Sequence, residues 1–243
     1  MPKIYLSPST QEGNPYVNGG NEEQYMNLVA DAMIPYLRSS GIQYTRNTPD
    51  MTAAQSIRAS NAGNYDFHIA LHSNAAPESN AGNVQGAEVY YYPNSADGKR
   101  MADILVKNLK EIYPGRVRAL TTTYLGEVTK TRAPAVLIEF AYHDNVEDAN
   151  WIKNNIQNMA IAVVKSLCEY FDIPFVQPQP PRTGTVTLNS GRLNIRSKPS
   201  LTAPVLTQAY NGAKITALGQ WEDWYVVNYN GTVGYAASRY ITV

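Results

Sequence analysis

Two hydrophobic rhythms divide the chain. Up to about residue 173 short apolar runs alternate with longer amphipathic stretches, whereas beyond residue 183 only short runs between turn residues remain. Ile4–Leu6, Ile42–Thr45, Asp66–His72, Ala87–Tyr92 and Ala135–Phe140 read as strands. Most are apolar on both faces, as parallel strands buried between helices are. Tyr25, Leu28, Val29, Ala32, Met33, Tyr36 and Leu37 recur at i, i+3, i+4 and predict a helix with one inward stripe. Asn21, with Gln24 three residues later, caps it, and Pro35 lies off the stripe at a place where a kink is expected. A second long helix is predicted from Asp148 to Phe171, with Ile152, Ile156, Met159, Val163, Val164 and Leu167 facing inward. Shorter helices are expected over Ala53–Ala62 and Ala96–Ile112. The pattern predicts an α/β fold, a three-layer αβα domain with a mostly parallel sheet.

Pro174, Pro178, Pro180 and Pro181, with Gln177 and Gln179 between them, form an extended spacer that cannot sustain a helix. It separates a domain over 1–173 from one over 184–243, with the linker at 174–183. In the tail, Val186–Leu188, Leu193–Arg196, Lys214–Leu218, Tyr225–Tyr229 and Gly234–Ala236 read as strands punctuated by Asn211-Gly212 and Asn230-Gly231. A small C-terminal all-β barrel is expected.

Composition narrows the function classes. With 243 residues and 44% hydrophobic content the chain can bury one full-sized core and a small one. Twenty basic residues balance twenty acidic ones, which argues against a nucleic-acid or membrane-surface protein. The balance is uneven: residues 183–243 hold 5 Lys+Arg against 2 Asp+Glu, a mild pointer to an anionic partner for the tail. The single cysteine, Cys168, excludes an intrachain disulfide. Its place late in the predicted helix, beside the apolar stripe, marks it as packing and argues against a cysteine peptidase. Met1-Pro2-Lys3 leads directly into a strand, with no signal-peptide pattern or membrane span. The expectation is a protein made in the cytoplasm that meets an external substrate only after release.

Ligands of open parallel sheets bind beyond the carboxyl ends of the strands. His72 closes one apolar strand, Glu139 closes another, and Glu22 and Glu23 stand in the first turn of the helix after the first strand. An imidazole and carboxylates on one rim suit a zinc hydrolase: nitrogen and oxygen ligands plus a spare carboxylate as base. Each residue also has a plainer reading, since acids in a first helical turn serve the helix dipole. His68 lies four residues before His72 on the same strand, roughly 13 Å away, too far to share an ion, and reads as structural or supporting. His143, past the end of the Glu139 strand, is a candidate ligand or substrate contact.

Taken in order, Glu23-x-x-x-Asn27-Leu28, Thr45-Arg46, Leu71-His72-Ser73-Asn74-Ala75, Gly86-Ala87-Glu88-Val89-Tyr90-Tyr91 and Pro134-Ala135-Val136-Leu137-Ile138-Glu139-Phe140 resemble the zinc-dependent N-acetylmuramoyl-L-alanine amidases of the amidase-3 type. The resemblance spans residues 3–172. It implies Zn²⁺ as cofactor, Glu23 and His72 as ligands and Glu139 as catalytic base; Asn74 and His143 are candidate substrate-binding residues beside them. One departure stands out: the family's histidine after the first strand is replaced by Ser7-Pro8-Ser9-Thr10-Gln11-Glu12. Three explanations are open: Gln11 or Glu12 donates an oxygen, His143 substitutes, or the site is weakened. Gln11 is the candidate taken forward.

In the tail, Leu193-Asn194-Ile195-Arg196-Ser197-Lys198-Pro199-Ser200, Trp224-Tyr225-Val226-Val227 and Gly234-Tyr235-Ala236 resemble a bacterial SH3 domain. That implies binding to the peptide part of peptidoglycan. Trp224 and Tyr235 read as core, Tyr210 and Trp221 as surface candidates for wall contact. The whole is expected to be a peptidoglycan amidase, an endolysin of a phage or prophage or an autolysin, released by lysis or a holin-like route. The alternative is a non-catalytic peptidoglycan-binding protein built on a degenerate amidase domain.

Overall fold

The computed structural model describes residues 1–243 and contains two compact units: Lys3–Met33 with Tyr44–Tyr170, and Met1–Pro2 with Ile34–Gln43 and Phe171–Val243. The first is a mixed α/β domain. Its elements are β1 (Lys3–Pro8), α1 (Glu22–Ser39, which runs on into the second unit), β2 (Gln43–Arg46), α2 (Ala53–Ala62), β3 (Phe67–Asn74), β4 (Ala87–Tyr91), α3 (Ala96–Lys110), β5 (Val117–Thr121), α4 (Gly126–Thr129), β6 (Ala135–Tyr142), α5 (Val146–Asn154) and α6 (Ile156–Phe171). The six strands run β2-β1-β3-β6-β4-β5. No helix is long and apolar enough to cross a membrane.

Three features decide where the chemistry lies. First, β1, β3 and β6 are parallel, but β4 pairs antiparallel with β6 and carries β5 with it. The start of β4 therefore meets the carboxyl end of β6. Asp148 pins this junction, accepting from the amides of Gly86 (3.1 Å) and Tyr142 (3.0 Å) and from the Tyr113 hydroxyl (2.6 Å). Second, α1 buries Val29, Met33, Tyr36 and Leu37 of the stripe expected for it, but at its start Met26 takes the inward place with Ala30 alongside, while Leu28 is 44% exposed. Glu22, one turn before Met26, consequently faces inward. Asn21 caps the helix, its side chain accepting from the Gln24 amide at 2.8 Å. Third, the helix expected over Asp148–Phe171 is two helices, broken at Asn155 (φ −123°, ψ 20°). β5 and the single turn of α4 have no counterpart in the hydrophobic pattern; β5 shows mixed burial and α4 is too short to be periodic.

The tail folds as an antiparallel sheet ordered β13-β7-β10-β11-β12-β8-β9. Its strands are β7 (Arg182–Val186), β8 (Arg192–Arg196), β9 (Val205–Tyr210), β10 (Lys214–Trp221), β11 (Trp224–Tyr229), β12 (Thr232–Ala237) and β13 (Ile241–Thr242). Val186, Leu193, Ile195, Ile215, Val227 and Ala236 fill its core. Asn230 and Gly231 both take positive φ (51° and 83°) between β11 and β12, the conformation that a two-residue hairpin turn of matching twist requires. The first tail strand starts earlier than expected and ends at Val186, because Leu188 already bonds to the Asn211 side chain. β9 escapes the pattern because only Ala209 of its six residues is buried.

Candidate active site

Cross-strand register places three titratable residues in one row. His72 on β3 is opposite Glu139 on β6, and Glu139 is opposite Glu88 on β4. Neighbours in register share a face of the sheet, so the three side chains project together.

His72 is held at both ring nitrogens. Nδ1 lies 2.7 Å from Glu22 Oε1, and Nε2 lies 3.0 Å from Glu127 Oε2. Burial alone would lower its pKa; the bonds from Glu127 and Glu22 overcome that and raise it well above the ordinary imidazole value. The carboxylates respond in kind. Burial would raise Glu22, but His72 and then Asn14 (2.6 Å) hold it below its usual range. Burial would raise Glu127 too, but His68 and His72 keep it far below. Glu127 Oε1 also accepts from Ser7, whose hydroxyl lies 2.6 Å from that of Ser56. His68 Nε2 sits 3.3 Å from the same oxygen, an electrostatic contact without hydrogen-bond alignment, while its Nδ1 meets Ser60 at 3.0 Å. The two strand histidines are thus joined through one carboxylate.

Glu139 is the exception. Its Oε2 is covered and has no hydrogen-bond partner. Burial pushes its carboxyl up to about 7, against the pull of His72 and with help from Glu22 and Glu88. Glu88, by contrast, is fully engaged. Arg118 grips Oε1 with two nitrogens (2.5 and 3.0 Å), and Tyr90 (2.5 Å) and Asn74 (3.2 Å) donate to Oε2.

The residues singled out from sequence divide accordingly. His72 and Glu139 come together. The carboxylate against His72 is that of Glu22, not Glu23. One oxygen of Glu23 is covered and without a partner, and burial and the charge of Glu12 raise its pKa. Gln11 reaches the site, its amide nitrogen 3.4 Å from His72 Nδ1 and its oxygen accepting from Asn14 at 3.1 Å. Rotating that amide by half a turn would present its oxygen instead. Asn74 is bound to Glu88. His143 lies behind the rim, its Nδ1 2.8 Å from the Ser73 carbonyl and its ring stacked on Tyr16. In the tail, Tyr210 is 60% and Trp221 38% exposed, whereas Tyr235 is fully buried. Sequence reasoning missed the roles of Glu127 and Glu88. Glu88 stood in the Gly86–Tyr91 run that carries the resemblance but was given no role, and at Glu127 the only signal was an acidic residue in a turn without periodicity.

The profile of the N-acetylmuramoyl-L-alanine amidase family matches residues 8–169, and that of the bacterial SH3 domain matches residues 191–242. Over 184 residues the chain is 27% identical to the N-acetylmuramoyl-L-alanine amidase CwlM of Bacillus licheniformis, covering 71% of this chain and 70% of that protein. It is similar in fold to the catalytic domain of CwlV, an N-acetylmuramoyl-L-alanine amidase from Bacillus (Paenibacillus) polymyxa var. colistinus. That match has a TM-score of 0.62 and 16% identity over 72% of this chain and 100% of the other. The catalytic domain of the CD27L endolysin targeting Clostridia difficile matches with TM-score 0.55 and 24% identity, over 70% of this chain and 98% of the other.

Proposed function

The chain belongs to the N-acetylmuramoyl-L-alanine amidase family, and we propose that it hydrolyses the bond between N-acetylmuramic acid and the L-alanine of the stem peptide with Zn²⁺ held at the His72 rim. Residues 1–173 carry the catalysis, 174–183 link, and 184–243 hold the wall. The observation that carries this reading is the pairing of His72 with Glu139 on adjacent strands, the one multiply bonded and the other with a covered oxygen awaiting a partner.

The charge of the site favours a cation. Glu22, Glu88 and Glu127 are buried, and Glu139 is half-buried. Arg118 answers Glu88, while one imidazolium is shared between Glu22 and Glu127. A region so short of positive charge suits a divalent ion. No three of the chain's His, Cys, Asp and Glu side chains stand as a complete ligand set. The donors that fit are His72 Nδ1 and Glu22 Oε1, with the Gln11 amide beside them. Glu127 on Nε2 is the outer carboxylate that orients a ligating imidazole and selects its donor nitrogen. When bound, zinc supplies Lewis acidity toward the scissile carbonyl and a water of lowered pKa.

Glu139 performs the proton transfers. Its carboxylate takes a proton from the water as oxygen attacks the lactyl carbonyl. It returns that proton to the L-alanine nitrogen as the C–N bond breaks. The products are a lactyl carboxylate on the glycan and a stem peptide with a new amino terminus. An amidase joined to a wall-binding module supports the role of a phage or prophage endolysin or an autolysin, acting at the cell wall after release. The non-catalytic alternative is less well supported, since the family match runs over residues 8–169 and Glu139 and His72 are both in place.

The test is release of L-alanine amino termini from purified peptidoglycan, with zinc per chain measured on the same samples. Wild type is expected to release them and hold about one zinc; Glu139→Gln is expected to keep the zinc and lose the release. Equal release by both proteins would sink the reading.

A further inference from the structure

The tail has a concave site whose lining does not include Tyr210 and Trp221, although these are the cross-strand partners of Arg192 and Trp224 at its edge. A groove of about 420 Å³ is lined by Arg192, Arg196, Arg239, Asn194, Trp224 and Tyr240 among others. Its volume falls in the range of small-ligand sites. We propose that this groove binds the carboxylates of peptidoglycan stem peptides, an inference that rests on the reading of the tail as a wall-binding module.

The charge is concentrated rather than scattered. Residues 183–243 contain five Lys and Arg, and three of them line this groove. The two acids of the same stretch, Glu222 and Asp223, are not in the lining. The three cations come from separate parts of the sequence: Arg192 opens β8, Arg196 closes it, and Arg239 lies in the 3-10 turn Ser238–Tyr240. Each is set differently. Arg196 is half-buried and spends one nitrogen on the Ala203 carbonyl at 2.8 Å. Arg239 is exposed, its guanidinium 4.8 Å from the centre of the Tyr240 ring. Arg192 is exposed and engages no acidic side chain. Trp224, half-buried and opposite Ala237 in the β11–β12 register, adds an apolar wall. Asn194, oriented by Gln208 at 2.8 Å, brings an amide for peptide groups.

Guanidinium forks match carboxylates in pairs of parallel hydrogen bonds. An aromatic wall with an amide beside it suits a short peptide better than a sugar–phosphate polymer, which needs charge repeated along a track. Stem peptides present free carboxylates at their D-residues, whereas the intact glycan repeat presents none once the lactyl group is amidated. The groove therefore reads the part of the wall that the proposed reaction cuts away from the glycan.

The test uses the full chain, ¹⁵N-labelled. One probe is the pentapeptide L-Ala-γ-D-Glu-L-Lys-D-Ala-D-Ala as the free acid; the second is the same peptide with both carboxyls amidated; the third is a glycerol phosphate oligomer. The free acid is expected to shift the arginine Nε–H signals and the Trp224 indole saturably, with the amidated peptide at least tenfold weaker. Arg192→Ala with Arg239→Ala is expected to cut retention on purified sacculi about tenfold while cleavage of a soluble disaccharide-peptide stays unchanged. Equal binding of the two peptides, preference for the glycerol phosphate oligomer, or undiminished retention of the double variant each overturns the proposal. Failure of wild type to sediment with sacculi overturns the wall-binding reading itself, and the groove with it.

Discussion

Glu127 is where the electrostatic account is most exposed to test. Glu127→Gln keeps the shape and one acceptor oxygen but removes the charge that faces His72 at 3.0 Å. Ser7 can turn toward Ser56, 2.6 Å away, so the amide can be accommodated; the Ser7 bond and the His68 contact also lose the charge, and counting the His72 bond alone, one charge-assisted bond is made neutral. Such bonds contribute about 1.5–3 kcal/mol and neutral ones about 0.5–1.5, so the variant should lose about 1–2 kcal/mol. At about 2–4 °C per kcal/mol for a domain of this size, melting should fall by about 2–8 °C in the metal-free protein. The pH dependence sharpens the test. Glu127 is held below its ordinary 4.5, so its contribution is present above that value and fades as pH falls toward its folded pKa. His72 is held above its ordinary 6.5, so its contribution is present below that value and fades as pH rises toward its folded pKa. The melting deficit of Glu127→Gln should therefore be greatest between about 4.5 and 6.5 and shrink on both sides. Thermal unfolding in EDTA from pH 3 to 9, wild type against variant, measures it. A deficit that is absent, or constant across that range, refutes the ion-pair description of this site.

Three further outcomes follow from the same geometry. Glu22→Gln should lower zinc retention through dialysis at least tenfold, while Glu23→Gln stays within about twofold of wild type; elemental analysis separates them, and the reverse order would restore Glu23 as the ligand. Glu139→Gln should reduce turnover on peptidoglycan by about 10²–10⁴, the range for removing a general base, with melting unchanged or raised because a covered, partnerless carboxylate is gone. In the tail, Gly231→Ala meets open space but forces a side chain onto φ 83°, which should cost about 1–2 kcal/mol and lower the melting of that domain by several degrees, read by calorimetry.

What the sequence made legible was whatever follows from a strand's own composition. The apolar runs ending near His72 and Glu139 located β3 and β6, and the rule that ligands gather at carboxyl ends brought both residues to one rim. The choice between Glu22 and Glu23 depended instead on the rotation of α1. One residue is about 100° of helix, and the stripe, sound at Val29, Met33, Tyr36 and Leu37, was misplaced at the start of the helix, where Leu28 is exposed and Met26 buried. Periodicity finds an amphipathic face to within a residue, and at a site made of neighbouring glutamates a residue is the whole question.

Direction was the second thing that composition could not supply. An apolar strand reads the same whichever way it runs, so the expectation of a mostly parallel sheet gave Glu88 no place at the rim. In the structure β4 runs against β6, and the beginning of β4 supplies Glu88 to the row that already holds His72 and Glu139. With Glu22 from α1 and Glu127 from α4, the rim gathers four carboxylates where chain order alone suggested two. Arg118 comes with β5 for the same reason, since β5 is parallel to β4 and pairs Arg118 with Glu88 in register. The reversal thus imports an acid and its own counter-charge together. Arg118 and the Tyr90 and Asn74 donors occupy Glu88, yet its charge still helps to raise the Glu139 carboxyl, so the covered oxygen of Glu139 is the one place in the row where a proton, a water or a cation-bound group can still be received.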